Sequence, residues 1–311
     1  MQSKNEKKVL IFFFIFFQFS QLFASPLVTP NWMSKNLCNK NIKVFEVGKS
    51  FNSYKIEHIS CSFYTNFYND GWRETYKEVS MSLPNPIKLK TLVEKLGIKN
   101  SDHIILYPKK NDTYAMAEVT SIYFTLKYLG HKKISILNGG YPGFKKEFPL
   151  LVDEGELYVE DKTNYKYKIN TSILAEAAEL MDSIVLKKNI TDSREVDYYL
   201  GINKLDRFKD YGTIDGSINI PSMWNLKDRG LIFNDITTLN KIHNSEKKVL
   251  KEKPNIYFCY AGLESSLNWF VSHELLENKN VKLYEGSIFD WPSKKKEVSK
   301  KVLNIYRQLC I

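Results

Sequence analysis

Short apolar runs alternate with amphipathic stretches along most of the chain, and they do so twice. Ile104-Ile105-Leu106-Tyr107 is a run of buried-strand type, followed by a polar loop and an apolar-periodic helical stretch from about Ala115 to Leu129. A second run, Ile134 to Leu137, leads into Asn138-Gly139-Gly140. The same order returns downstream, with Asn255-Ile256-Tyr257-Phe258 as a strand, then a loop, a helix from about Glu264 to Leu276, a strand from Val281 to Tyr284 and a glycine turn at Gly286. An aromatic stands five residues after the glycine in both halves, Phe144 after Gly139 and Trp291 after Gly286. Further upstream, strands Lys43 to Val47 and Asn189 to Asp192 each precede a second matching pair of segments, His58-Ile59-Ser60-Cys61-Ser62 and Thr213-Ile214-Asp215-Gly216-Ser217. The halves read as a duplication.

Strands alternating with helices imply parallel pairing with helices on both faces, so the expected fold class is α/β, two doubly wound domains each built on a parallel sheet. Such sheets place their chemistry at the carboxyl ends of the strands. Residues 151–168, LVDEGELYVEDKTNYKYK, are polar, lack apolar periodicity and carry an acidic cluster, which predicts a linker between a domain at 27–150 and one at 169–311. Ahead of both, Lys4, Lys7 and Lys8 precede an unbroken apolar run from Val9 to Phe17, with Ala24 and Ser25 as small residues at a cleavage site. This is the pattern of a secretory signal peptide over residues 1–24. An uncleaved anchor is the alternative, because the run is only slightly short of a bilayer span of about 20 residues. Cleavage predicts an exported protein, periplasmic or secreted, with no stable association with the membrane.

Composition adds limits. At 311 residues, 43% hydrophobic and 14% aromatic, the chain can bury two ordinary cores. The formal charge of +10 falls to +8 when the signal's three Lys and one Glu are removed. The lysines are scattered, with no basic helix and no interleaved aromatics, so no nucleic acid is expected as a partner. The dense run Lys294–Lys296 reads as solvated surface. Four cysteines, Cys38, Cys61, Cys259 and Cys310, admit three pairings but are too few to form a disulfide framework in a chain this long. Neither metal-ligand spacing nor a glycine-rich nucleotide loop occurs, so no metal and no cofactor are expected.

Cys259 has the setting of a nucleophile. It follows the Asn255–Phe258 strand directly and opens the loop Cys259-Tyr260-Ala261-Gly262-Leu263-Glu264-Ser265 that runs into a helix. A thiol facing a helix N-terminus meets free amides and the positive end of the macrodipole, which lower its pKa and stabilise a thiolate or a persulfide anion. Gly262 permits the turn that aims those amides. A small buried core residue is the competing role for Cys259, and position alone divides the two evenly. Cys38, in an N-terminal helical segment, Cys61, in a post-strand loop, and Cys310, at the tail, are assigned structural or incidental roles.

Leu27-Val28-Thr29-Pro30-Asn31-Trp32-Met33, His58-Ile59-Ser60-Cys61-Ser62 and Leu137-Asn138-Gly139-Gly140-Tyr141-Pro142-Gly143-Phe144 resemble the first domain of tandem-domain rhodaneses. Asp192-Ser193-Arg194, Gly212 to Pro221, Cys259 with its loop, and Leu283-Tyr284-Glu285-Gly286-Ser287 through Trp291 resemble the catalytic second domain. The resemblance implies a sulfurtransferase. Its cysteine takes the outer sulfur of a small anionic donor, thiosulfate or 3-mercaptopyruvate, and passes it from a persulfide to a thiol, on a small molecule or a protein, or to cyanide. It also implies an inactive first domain, where Pro108 stands in place of the nucleophile. A monomer with the loop facing the interdomain cleft is expected.

Several positions depart from the family pattern. Thiosulfate-type members carry Arg and Lys after the cysteine, where Tyr260 and Ala261 stand here, and the Gly followed by Ser or Thr of mercaptopyruvate-type members is also missing. Glu264 would repel an anionic donor if it pointed inward, or would serve the helix dipole at a helix start. Tyr198 replaces a second family arginine. Arg194 is a candidate substrate-binding residue, with a structural ion pair to Asp192 or Asp215 weighed ahead of that role. His58 reads as a loop histidine. A rhodanese-fold phosphatase would end its cysteine loop in arginine, and Ser265 stands there instead. The remaining alternative is a non-catalytic module that binds persulfide or anions.

Overall fold

The computed structural model describes residues 24–159, 162–208, 210–244, 254–292 and 297–301. The proposed signal run, Lys294–Lys296 and Cys310 lie outside them. Two parallel sheets form the scaffold. In the first, the strands run in the order Leu27–Val28, Ile134–Leu137, His103–Pro108, Ile42–Val47, Ser62–Thr65. In the second the order is Val281–Leu283, Asn255–Phe258, Asn189–Asp192, Ile218–Asn219, and Leu174 bridges to Leu283 in parallel on the outer side. Leu174 thus stands where Leu27–Val28 stands in the first sheet. The order is the same in both halves, so the duplication legible in the apolar runs is also a duplication of topology.

The central strands His103–Pro108 and Asn255–Phe258 are buried almost throughout, as expected for parallel strands covered on both faces. Each feeds a helix, Thr113–Tyr128 in the first half and Leu263–Phe270 in the second. Asp112 caps the former by accepting from the Ala115 amide at 2.8 Å. The latter continues as a wider π turn from Val271 to Leu275 before ending at Leu276.

These two helices pack on each other and join the domains. Every residue from Ala115 to Leu126 is buried, a helix apolar nearly all round because its outer face meets the second domain instead of water. Phe124 meets Trp269 edge-on at 4.8 Å between ring centroids, Tyr123 meets Phe270 at 4.9 Å, and the Thr120 and Ser266 hydroxyls lie 2.8 Å apart. One cluster of buried side chains runs from Phe45 and Ile104 through this contact to Tyr257 and Leu283. A buried ion pair, Arg73 to Glu285 at 2.7 Å, crosses the same interface.

Two expectations change, and the linker takes a defined course. The stretch 151–168 is laid onto the first domain: Val152–Asp153 pairs antiparallel with His58–Ile59, and Tyr165 is fully buried with its hydroxyl 3.0 Å from His131 Nδ1. A two-residue strand pairing, the inward Tyr165 and the Thr163 hydroxyl on the Ile98 carbonyl oxygen dock it. His58 is a buried strand residue, stacked on Tyr54 with its Nδ1 3.0 Å from the Tyr54 carbonyl oxygen. Cys38 lies beyond its helix, which ends at Asn36, and is joined to Cys61 in a disulfide with a Cα separation of 5.3 Å. Among the described residues no helix is long and apolar enough to cross a membrane, and no His, Cys, Asp and Glu cluster could hold a metal ion.

Candidate active site

Cys259 is fully buried at the carboxyl end of its strand. The loop after it is drawn tight by Ser287, whose hydroxyl oxygen accepts from the Cys259 amide at 3.1 Å and from the Gly262 amide at 3.3 Å. Ser287 itself adopts φ +51, a conformation uncommon outside glycine and one that turns its hydroxyl under the loop. Gly262 has φ +75, and a Cβ there would meet the Glu285 carboxyl at 3.0 Å. Glycine is therefore required twice over, by backbone conformation and by space. Glu285, wedged against Gly262, is the residue that Arg73 of the first domain holds. The first domain thus braces the loop from beneath.

Around the sulfur the arrangement is mixed. The Ser265 hydroxyl donates to Sγ at 3.3 Å, and the amides of Ala261 and Ser265 favour the charged sulfur. This is the amide cradle expected at a helix start. Its effect is outweighed. Burial pushes the Cys259 thiol up, and the Glu264 carboxylate beside it pushes further in the same direction, so the thiol is held above its ordinary range and not below it. The expected lowering fails because the thiol is buried and the loop sets the Glu264 carboxylate beside it, with Tyr260 and Ala261 where family members carry cations.

Glu264 is buried and turned inward rather than serving the helix dipole from outside, and its carboxylate bears on the Cys259 thiol. Burial raises its pKa, Asp192 and Glu195 raise it further, and Arg194 opposes. Arg194 is itself committed: its Nη2 donates to Asp192 Oδ2 at 2.6 Å and to the Gly212 carbonyl oxygen at 2.8 Å, and Thr213 adds a hydroxyl to the same carboxylate. Burial works against the Arg194 charge and the Asp192 carboxylate overcomes it. The guanidinium also lies over the Tyr260 ring at 4.6 Å. Its place is structural. Asp215, the other proposed partner, instead meets Lys301 at 2.9 Å.

Next to the loop is a cavity of about 430 Å³ lined by Tyr260, Ala261, Leu263 and Glu264 from the loop and by Tyr68, Met81 and Tyr114 from the first domain. Tyr198 and Arg207 close its second-domain side. The loop faces the interdomain cleft, as expected, though Cys259 itself is covered by its own loop. A larger cavity of about 720 Å³ at the outer edge of the first domain, around Trp32 and His103, contains no cysteine and no residue of the second domain. In the first domain Pro108 ends the central strand beside a cavity lined by Glu46, Lys49, Lys109 and Glu118, with no thiol.

Four residues here went unnoticed in the sequence reading. Ser287 and Glu285 lie inside a quoted motif but carried no role. Arg73 and Tyr114 come from the other domain, and only tertiary structure brings them to the loop.

A tandem α/β protein with a cysteine loop at the end of the central strand of its second sheet is the class that this fold and site define. The rhodanese-like domain family matches residues 29–147 and 174–294, and the chain belongs to that family of sulfurtransferases, with two such domains in tandem. It is 26% identical over 277 residues to the sulfur carrier protein TtuD of Thermus thermophilus, covering 85% of this chain and 93% of that one. Among solved structures it resembles SseA of Escherichia coli, a 3-mercaptopyruvate sulfotransferase, with TM-score 0.73 and 19% identity over 85% of this chain and 99% of that one. It also resembles Tum1 of Saccharomyces cerevisiae, with TM-score 0.74 and 18% identity over 89% and 98% of the two chains.

Proposed function

We propose that the protein is an exported sulfurtransferase that carries sulfane sulfur as a persulfide on Cys259, taking it from thiosulfate or 3-mercaptopyruvate and giving it to a thiol or to cyanide. The observation that carries this reading is the Cys259 loop. It places a thiol at a strand end, against the Ala261 and Ser265 amides and the Ser265 hydroxyl, beside a cavity that both domains line. The sulfur-handling names of TtuD and SseA point the same way. Export is supported by the basic and apolar pattern of residues 1–24 and by the Cys38–Cys61 disulfide, a bond that persists in oxidising compartments.

A second reading, a module that binds persulfide or anions without turnover, is favoured by the covered thiol and the missing loop cations. Intact-mass spectrometry after incubation with thiosulfate, and separately with 3-mercaptopyruvate, decides between them. The enzyme reading predicts a gain of one sulfur atom that is absent in Cys259→Ser and is removed by an added thiol or cyanide. A folded protein with a free Cys259 that gains nothing from either donor is the module.

A further inference from the structure

We propose that Glu264 is the proton carrier of Cys259, and that the site is built for an organic hydropersulfide, a donor of low charge, in preference to the thiosulfate dianion. This rests on the persulfide reading above and names the substrate class of the same site. Three features of the geometry carry it. Glu264 stands on the first helical turn after the loop, buried, directly before Ser265, whose hydroxyl donates to Cys259 Sγ, and at the same time lines the interdomain cavity. It therefore stands between the nucleophile and the space a substrate would enter. Secondly, no cation of the loop faces it, since Tyr260 and Ala261 follow the cysteine and Arg194 is spent on Asp192. Thirdly, among the described residues no other base is placed to take the thiol proton: the groups around the pair are Asp192, already bonded to Arg194 and Thr213, Glu195, and the hydroxyls of Ser265, Tyr114 and Tyr198. Among the described residues Arg207 is the one cation that lines the cavity, and its guanidinium lies over the Phe289 ring at 4.2 Å.

The chemistry balances without an added oxidant or reductant. The Glu264 carboxylate accepts the proton of the Cys259 thiol. The thiolate attacks the outer sulfur of R–S–SH, the new bond from Sγ to that sulfur forms, and the S–S bond of the donor breaks with its electron pair on R–S⁻. The Glu264 carboxyl then protonates R–S⁻, which leaves as R–SH, and Cys259 is left as the hydropersulfide. Charge inside the buried site is the same before and after, which burial favours. Thiosulfate would bring two negative charges against a carboxylate in the same space. Burial, which raises both groups, keeps the carboxyl near the range where a base is useful at neutral pH.

The test compares wild-type protein with Glu264→Gln, which keeps the shape, and Glu264→Asp, which keeps the acid. Persulfide formation on Cys259 is followed by quenched-flow intact mass with cysteine hydropersulfide and with thiosulfate, between about pH 6 and pH 9, the span over which a raised carboxyl and a thiol separate. Melting curves establish that each variant is folded. With the hydropersulfide, Glu264→Gln should lose on the order of a hundredfold in rate at neutral pH, the usual worth of a positioned base. Its rising limb should move to the higher pH of the thiol alone, and Glu264→Asp should restore part of both. With thiosulfate the same Gln variant should lose less, since removal of the carboxylate's repulsion offsets part of the loss of the base, so the preference between donors narrows. A folded Glu264→Gln as fast as wild type with the hydropersulfide, on an unmoved pH profile, overturns the proposal and leaves the persulfide reading standing. A wild-type protein that takes sulfur from neither donor overturns both.

Discussion

Arg194 illustrates how one residue supports opposite readings until its partners are known. As a cation near the cysteine loop it is a candidate to hold an anionic donor. In the fold it is buried, bound to Asp192 through Nη2 at 2.6 Å, and its planar face covers Tyr260. Arg194→Met should therefore cost about 3–5 kcal/mol of stability, because Asp192 is left charged and unpaired in the core. Urea denaturation measures this, and the donor KM of the surviving folded protein should change little. A large rise in KM at unchanged stability would return Arg194 to the substrate. Cys259 and its loop were legible in the sequence because strand, nucleophile and helix start are consecutive. The direction of the thiol's pKa was not, since it is set by burial and by which way Glu264 turns, and neither is written in residue order.

At the scale of elements, the strands and helices around the second sheet are held by a polar group buried among them. His243, on the helix Ile236–Asn244, places Nε2 2.8 Å from Asn225 Oδ1 and Nδ1 3.1 Å from the Tyr257 hydroxyl. Burial lowers its pKa from 6.5 to about 3, so the folded protein holds it neutral where the unfolded chain would take up a proton. Its contribution is present above the unfolded pKa and is lost as pH falls, by about 1.4 kcal/mol for each unit below 6.5 until the folded pKa is reached. Urea midpoints compared at neutral and mildly acidic pH should show this loss, and His243→Gln should flatten it. The apolar runs gave the strands nearly to the residue, Ile134–Leu137 and Asn255–Phe258 among them. Within 151–168 they do not report the strand Val152–Asp153 or the burial of Tyr165, because a two-residue pairing and one aromatic have no period to detect.

Across the whole molecule, the domain interface and the active loop are one structure. Arg73 reaches from the first domain through Thr125 and Ser121, to whose hydroxyls it also donates, and ends on Glu285 beneath Gly262. Burial pushes Arg73 down and Glu285 up, and the charge of each opposes the shift in the other. Arg73→Met should cost about 3–5 kcal/mol, since Glu285 is stranded in the interface. The double variant Arg73→Met with Glu285→Gln should recover most of it, and thermal or urea unfolding of the three proteins forms the cycle that measures the coupling. Sequence could not pair these residues: 212 positions separate them, and neither lies on an apolar period.

The complete burial of Cys259 has a consequence for time rather than for affinity. A sulfur atom placed on that thiol would sit beneath its own loop, shut off from bulk thiols that would otherwise strip it. How long the cargo persists is then governed by how often the loop lifts, and the chemistry of the incoming reagent matters only during those intervals. On the proposed function, storage and delivery would then be separate states of a loop that Ser287 holds from the second domain and Arg73, through Glu285, from the first.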